Sequence, residues 1–330
     1  MSNIEIGSNP PAKSSSTTNL RTVGLFMLNY SHVITFLVLV IAASIASPHF
    51  LNTTNILNVV RGASMVGVVA IGMTIIILCR GIDLSAGSLV GVAAVTAAAL
   101  AGNGSPIAWG VALAVTTALG VVNGLLITKL KLQPFIATLA MMIFARGCIY
   151  LYSDGGDVYA QGADAAFRWL GSGYIWVVPV PVVLFVALWA ALAYVMKHTR
   201  WGRHVYAVGA NEDAARVYGI GVDRIKIQVY ALSGLLAGIA GLILVSRVSV
   251  AEPNAGSLFE LDAIAATLIG GTSFDGGVGA VSGTMLGVLI LAIITNLLNL
   301  LGVSPFVQML AMGVIIVVAV VISDMRNRQR

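Results

Sequence analysis

The long apolar segments of this sequence contain uncharged polar side chains whose hydroxyl and amide groups suit a neutral, hydroxyl-rich solute. Asn296 and Asn299 are the best candidates for a polar stripe, because residues three positions apart lie on one face of a helix. Each polar residue also has a structural interpretation, since such groups bond one transmembrane helix to another. The residues in this group are Thr74, Ser88, Thr96, Thr116, Asn123, Thr138, Ser233, Thr267, Thr284, Asn296, Asn299 and Gln308.

Charged groups are scarce inside the same segments, which argues against a transporter coupled to protons or sodium, because such transporters place carboxylates deep in the membrane. Arg146 is the main charged residue within a segment, whereas Asp83, Glu260, Asp262 and Asp275 lie at segment ends. The sequence has no Walker A motif, and its four histidines form no pair with metal-ligand spacing. We therefore expect no catalytic residue, no metal site and no cofactor in this chain, and an energy source on another protein.

The composition requires a lipid environment. Hydrophobic residues make up 58% of the 330 positions and charged residues only 9%, and the mean hydropathy is +0.96. A soluble globular protein carries about 25% charged residues. The net charge of +5 does not indicate nucleic-acid binding, because the basic residues stand between apolar runs rather than in one soluble cluster.

The apolar runs predict an all-α polytopic membrane protein with about ten transmembrane helices, some of them short or broken. A helix needs about 20 apolar residues to cross the hydrocarbon core, so segment 259–272 suits a broken or re-entrant helix better than a full crossing. The predicted segments are 26–47, 63–79, 85–101, 106–128, 134–152, 175–196, 227–246, 259–272, 277–299 and 304–322. Together they form a transmembrane domain at 26–322, between a disordered tail at 1–25 and a short tail at 323–330.

The basic residues set the orientation. With the N-terminus inside and ten crossings, every one of the 18 basic residues falls on the cytoplasmic side except Arg61, Arg146, Arg168 and Arg247. This distribution obeys the positive-inside rule. If segment 259–272 entered and returned, the C-terminal arginines would face outward, so we expect ten crossings with both termini in the cytoplasm.

The segment 81–88 has closely spaced glycines and helix-capping residues, which predict a sharp turn at the membrane edge. One interpretation is structural: Asp83 or Ser85 caps the next helix, and Asp83 pairs with Arg80. The other interpretation places this turn beside an inner gate, with the turn at Gly276 and Gly277 as its counterpart in the C-terminal half.

The loop at 197–226 is the longest cytoplasmic stretch. Asn211 can cap a short helix there and Gly219 can end it, and acidic residues in the first turn complement the helix dipole. Such a helix with small alanines can dock into a cleft on another protein, although the loop also has the simpler interpretation of a connector. The residues of the predicted helix that would face a partner are Glu212, Asp213, Ala214 and Ala215. On the outer side, loop 153–174 is either a landing surface for a partner or an inert loop.

A series of motifs follows in order between about residues 45 and 322: GIDLSAGS at 81–88, QPFIATL at 133–139, TRWGR at 199–203, GANEDAA at 209–215, ELDAIAA at 260–266, GGTS at 270–273 and NLLGV at 299–303. With these motifs the chain closely resembles the permease subunits of ribose-type ABC importers, which also handle xylose, arabinose and galactose. The resemblance implies that 211–219 forms the coupling helix against the ATPase. Asp213 interrupts the Glu-Ala-Ala order of bacterial importers, so the resemblance carries over the helix and not every contact.

The resemblance also implies the partners and the location. These are an ATPase subunit that binds ATP, a periplasmic sugar-binding protein, a second permease copy or paralogue, and the lipid of a bacterial inner membrane. The candidate residues of the pathway or its gate are Asp83, Ser85, Asn123, Thr138, Asn296 and Asn299. The expected solute is a ribose-like pentose or a hexose. A same-family permease for a furanone signal, a polyol or a nucleoside is an open alternative, and a stand-alone secondary transporter is a more distant one.

Overall fold

The computed structural model describes residues 31–328 and consists almost entirely of α-helices, as the sequence predicts. Residues 1–30, which include the predicted tail 1–25, lie outside the described part of the chain, as do residues 329 and 330 of the predicted tail 323–330. In chain order the helices are α1 (Ser31–Ala46), α2 (Thr53–Leu78), α3 (Ala86–Leu100), α4 (Ser105–Thr128), α5 (Pro134–Ser153), α6 (Ala165–Ser172), α7 (Val180–His198), α8 (Arg200–Ala210), α9 (Glu212–Val217), α10 (Val222–Val248), α11 (Phe259–Ile269), α12 (Val281–Leu300) and α13 (Pro305–Arg328).

Each of the ten predicted apolar segments corresponds to one of these helices. Within residues 31–328, seven helices are long and apolar enough to cross a membrane: α2, α3 with the 3₁₀ turn Ala101–Asn103, α4, α5, α7, α10 and α12. The helices α1 and α13 contain shorter apolar stretches, His32–Ala46 and Pro305–Val321. The remaining segment, 259–272, contains the 11-residue helix α11. At a rise of 1.5 Å per residue this helix extends about 16 Å, roughly half of the hydrocarbon core.

The helices α2 and α10 form the centre of the bundle, and small residues let their neighbours approach closely. A Cβ atom on Gly120 of α4 would lie 2.4 Å from the carbonyl oxygen of Tyr230. One on Gly234 of α10 would lie 2.3 Å from the carbonyl oxygen of Thr116. Only glycine fits at both positions, and the abundance of glycine in this chain therefore serves helix packing.

Between α10 and α11 the chain runs through residues 249–258 without forming a helix. The polar groups of such non-helical backbone need hydrogen-bond partners wherever water is excluded. Here the Nη1 atom of Arg146 on α5 donates to the carbonyl oxygens of Pro253, at 2.7 Å, and Ala255, at 3.1 Å. Arg146 thus holds the segment that leads into the short helix, a role that its position in the sequence does not reveal.

The predicted outer loop 153–174 is structured. Its strand β1 (Val158–Tyr159) pairs antiparallel with β4 (Val250–Ala251), and β2 (Tyr174–Ile175) pairs with β3 (Val178–Pro179) just beyond the loop. Asp164 caps α6 and also accepts hydrogen bonds from the backbone N–H and hydroxyl of Ser105. Hydrogen bonds from the N–H groups of Ser105 and Phe167 lower the pKa of Asp164, so this carboxylate stays charged at neutral pH.

Candidate functional site

The short helix α9 has the predicted cap and the predicted end. The Oδ1 atom of Asn211 accepts a hydrogen bond from the N–H of Ala214 at 2.9 Å. Gly219 has a φ of +78°, the left-handed conformation that stops a helix and that glycine adopts without strain. The sequence between Thr199 and Gly221 therefore folds into two helices, α8 and α9, rather than an irregular connector.

A network of four ion pairs fixes α9 to the bundle. Glu212 accepts from Lys226 on α10 and from Arg216, and Arg216 also reaches Asp223 at 2.9 Å. Asp223 in turn pairs with Lys129 at the end of α4, at 3.1 Å. Burial alone would raise the pKa of Glu212, but the hydrogen bonds from Lys226 and Arg216 outweigh it and the pKa is lowered. The pKa of Arg216 is raised by its hydrogen bonds to Asp223 and Glu212. At neutral pH Glu212 and Arg216 are therefore charged.

The structure corrects the interpretation of Ala215. Its side chain is only 3% exposed and belongs to the protein's own core, so it does not face an approaching partner. The outward surface carries Val217 and Tyr218 instead, each 85% exposed. These two side chains project into solvent beside a charged network. Another protein can cover such a surface. We call Val217 and Tyr218 the α9 knob.

Helix α8 is connected to the end of α2 through the loop 270–280. The N–H of Gly277 donates to the carbonyl oxygen of Leu78 at 2.9 Å, and the Nε of Arg80 donates to the carbonyl oxygen of Asp275 at 2.6 Å. The hydroxyl of Tyr206 on α8 donates to the carbonyl oxygen of Gly279 at 2.9 Å. A displacement of α8 would therefore be transmitted to the end of α2 and to the start of α12.

The predicted pair between Asp83 and Arg80 is wrong. Arg80 has a φ of 58° and turns its side chain toward the loop 270–280. The Oδ1 atom of Asp83 accepts from the backbone N–H of Ser85, at 2.9 Å, and from its hydroxyl, at 2.5 Å. The Oδ2 atom accepts from the hydroxyl of Ser233 at 2.8 Å. The side chain of Asp83 thus points into the bundle rather than back along its own turn.

Four of the six candidate pathway residues meet around this turn. The Nδ2 of Asn123 donates to the hydroxyl of Ser85 at 2.9 Å, and the hydroxyl of Thr138 lies 3.5 Å from the carbonyl oxygen of Ile82. The side chains of Asp83, Ser85, Asn123 and Thr138 are each fully buried. Ser233 lies near the middle of α10, so the hydrogen bonds of this turn reach into the helix bundle. We call these residues, with Ser233, the closed cluster.

The other two candidates lie elsewhere. Asn296 forms a reciprocal amide pair with Asn55 on α2, at 2.8 and 3.0 Å. The Oδ1 atom of Asn299 accepts from the Nε2 of Gln308 at 2.8 Å. Both asparagines line one cavity, as their spacing predicts, together with Asn58 and Asp262, which the sequence pattern does not place there.

Three hydroxyl residues have the structural role that the sequence left open. The hydroxyl of Thr74 on α2 lies 3.2 Å from that of Thr267 on α11 and 2.6 Å from that of Thr284 on α12. All three side chains are fully buried. This triad bonds the short helix to its two neighbours, which is the function of polar groups between transmembrane helices.

Comparison with known proteins agrees with these features. Residues 55–320 match the protein family described as "Branched-chain amino acid transport system / permease component". The chain belongs to this family. It is 43% identical to the ribose import permease protein of Escherichia coli (strain K12) over 307 residues, which cover 92% of this chain and 95% of that protein.

Further relatives extend the comparison. The chain is 44% identical to the ribose import permease protein of Bacillus subtilis (strain 168) over 298 residues, 88% of this chain and 91% of that protein. It is 36% identical to the L-arabinose transport system permease protein of Escherichia coli (strain K12) over 303 residues, 91% and 92% of the two chains. No solved structure matches the chain significantly. The chain is thus a permease component with several apolar helices, related along almost its full length to permeases named for sugars.

Proposed function

We propose that this chain is the membrane-spanning permease subunit of an ABC importer and forms the pathway for a monosaccharide, a ribose-like pentose or a hexose. The observation that carries the proposal is the similarity to ribose and L-arabinose permeases over about nine tenths of each chain. A periplasmic binding protein delivers the sugar, and a separate ATPase binds ATP and drives transport. The chain itself carries no cofactor and no catalytic residue, and a second copy or a paralogue completes the pore.

The helix α9 and its knob are the contact with the ATPase in this proposal. The knob stands clear of the chain, and the ion pairs behind it connect α9 to α4 and α10. The contacts of the loop 270–280 extend the connection to α2. These observations support a path along which closure of the ATPase moves the ends of the membrane helices. The proposed location is a bacterial inner membrane with α9 and both termini in the cytoplasm, as the distribution of basic residues predicts.

Reconstitution tests the proposal. The chain is placed in proteoliposomes with the ATPase and the sugar-binding protein of its own transport system, and uptake of radiolabelled D-ribose, L-arabinose, D-xylose and D-galactose is measured with and without ATP. We expect ATP-dependent uptake of at least one sugar by the assembled importer and neither uptake nor ATP hydrolysis by the purified chain alone. ATP turnover by the isolated chain, or uptake driven by an ion gradient without the ATPase, would contradict the proposal.

A further inference from the structure

A cavity of about 400 Å³ lies between α2, α11, α12 and α13. It lies toward the end of the bundle opposite to α9, because Asn58 is near the start of α2 and Asn299 is near the end of α12, whereas Leu78 at the other end of α2 contacts the loop beside α8. Its volume is within the range of about 300–1,000 Å³ that is typical of small-molecule sites. The size alone admits many solutes, so the chemistry of the lining residues must decide between them.

The polar groups of the cavity are of two kinds. Asn296 is fully engaged by Asn55 and holds α12 to α2, which fixes the width of the cavity. Asp262, Asn58 and Thr295, in contrast, form no side-chain hydrogen bond or ion pair among the described residues 32–321. Asp262 is held in the first turn of α11, whose N–H groups and dipole favour a carboxylate there. A half-buried carboxylate without a partner lacks the hydrogen bonds that such a group ordinarily has.

The charges of the lining disfavour an anionic solute. Among its residues, all within the described part of the chain, Asp262 is the one with a charge, and no lysine or arginine is present. An anionic solute would meet the carboxylate with no cation to compensate it. A neutral polyol can donate several hydroxyl hydrogens, and a carboxylate has two oxygens that accept them in strong, charge-assisted hydrogen bonds.

The remaining lining residues include polar groups and apolar groups, and a sugar has both hydroxyl and C–H groups. The hydroxyl of Thr295 and the amides of Asn58 and Asn299 can donate to and accept from ring hydroxyl groups. Phe259 and Met312 supply apolar surface against which the C–H groups of a sugar ring can pack. A few polar groups within a largely apolar lining are the combination that orients a small polyol.

We propose that this cavity is a monosaccharide site in the translocation pathway, with the carboxylate of Asp262 as the central hydroxyl acceptor and Thr295, Asn58 and Asn299 around it. The proposal rests on the proposed function and deepens it, because it names the residues that receive the sugar inside the membrane domain. Asn296 is a positioning residue, because its side-chain amide already forms two hydrogen bonds with that of Asn55.

Binding of D-ribose to the full-length chain in lipid nanodiscs tests the site directly. Saturation-transfer NMR is recorded on the unmodified protein and on Asp262→Asn, Thr295→Val and Thr295→Ser. We expect the dissociation constant for D-ribose to rise about tenfold in Asp262→Asn, because charge-assisted hydrogen bonds are lost, and several-fold in Thr295→Val. Thr295→Ser keeps the hydroxyl and should bind like the unmodified protein, as should the control Asp157→Asn, whose side chain is exposed in the outer loop.

The outcomes separate the site from the function. Equal D-ribose binding by Asp262→Asn and the unmodified protein, at equal membrane abundance and thermal stability, would overturn the site, as would stronger transfer to L-leucine than to D-ribose. If the assembled importer then still takes up sugar with ATP, the proposed function stands without this site. Loss of sugar uptake in the unmodified importer would count against the function, while the binding measurement still decides whether the cavity accepts a polyol.

Discussion

The closed cluster around Asp83 and the cavity around Asp262 each hold a carboxylate in the membrane domain, yet they differ in how that carboxylate is satisfied. Asp83 is fully buried and receives hydrogen bonds from Ser85 and Ser233. Asp262 is half-buried and receives none among the described residues 32–321. A polar group that the chain satisfies itself holds helices together, whereas one that it leaves without a partner is available to something else. The surface around α9 shows a similar difference. The charged residues behind α9 pair with one another, whereas the side chains of the α9 knob are exposed.

The largest expected effect lies in the closed cluster. Asp83→Ala leaves the donors of Ser85 and Ser233 buried without an acceptor, and each unsatisfied buried group costs about 1–3 kcal/mol. We expect the free energy of unfolding to fall by about 3 kcal/mol and the membrane abundance to fall with it. Thermal unfolding in nanodiscs measures the change, with Asp262→Ala as the matched comparison that should lose far less stability, because no described residue donates a hydrogen bond to the carboxylate of Asp262. If the two variants had similar stability, the carboxylate of Asp83 would stabilise the fold no more than that of Asp262, and the proposed difference between the closed cluster and the cavity would be wrong.

The second largest effect is expected at the α9 knob. Substitutions there should weaken binding of the ATPase and leave the fold of the permease unchanged. Tyr218→Glu and Val217→Glu place a charge on a surface that the ATPase is proposed to cover, and an unpaired buried charge is costly. We expect at least a tenfold loss of ATPase affinity in co-purification, together with lost sugar uptake and normal membrane abundance. Tyr218→Phe keeps the apolar ring and should retain the ATPase. If both Glu variants bind the ATPase normally, the knob is not the contact.

The burial of Ala215 changes which experiment can test this surface. A large residue at position 215 would clash inside the permease itself, because the side chain is 3% exposed. Loss of the ATPase by such a variant could then follow from misfolding and would say nothing about docking. Substitutions of the exposed knob avoid this ambiguity.

The fold could be predicted from the sequence because its signals are local. An apolar run of suitable length specifies a helix whatever surrounds it, and Asn211 caps α9 through a residue three positions away. The seven long helices, the short α11 and the capped α9 all follow from such signals.

The parts of the candidate site that could not be predicted depend on contacts between distant residues. Arg146 meets Pro253 and Ala255 across more than 100 positions, and Asp83 meets Ser233 across 150. The sequence suggested the nearby Arg80 as the partner of Asp83, but the left-handed backbone at Arg80 turns that side chain away. Likewise, helical spacing identifies a face of α9, but only its packing on the core decides that Ala215 points inward.

The smallest expected effect concerns the ion pairs behind the knob and depends on pH. The pKa of Glu212 is lower in the folded protein than in the unfolded chain, so its stabilising contribution is fully present above the unfolded value of about 4.3 and is lost as the pH falls through the lower folded value. Because the pairs are partly exposed, we expect Glu212→Gln to loosen α9 by no more than about 1 kcal/mol.

Hydrogen exchange of residues 211–220 should therefore be faster in Glu212→Gln than in the unmodified protein between pH 5 and 8. The two proteins should converge once the pH has fallen below the lowered folded pKa of Glu212, where neither side chain is charged. Asp213→Asn, at a position without a resolved ion pair among the described residues, is the matched control and should follow the unmodified protein at every pH. A difference between Glu212→Gln and the unmodified protein that persisted unchanged to pH 3 would show that packing, and not the ion pairs, holds α9 in place.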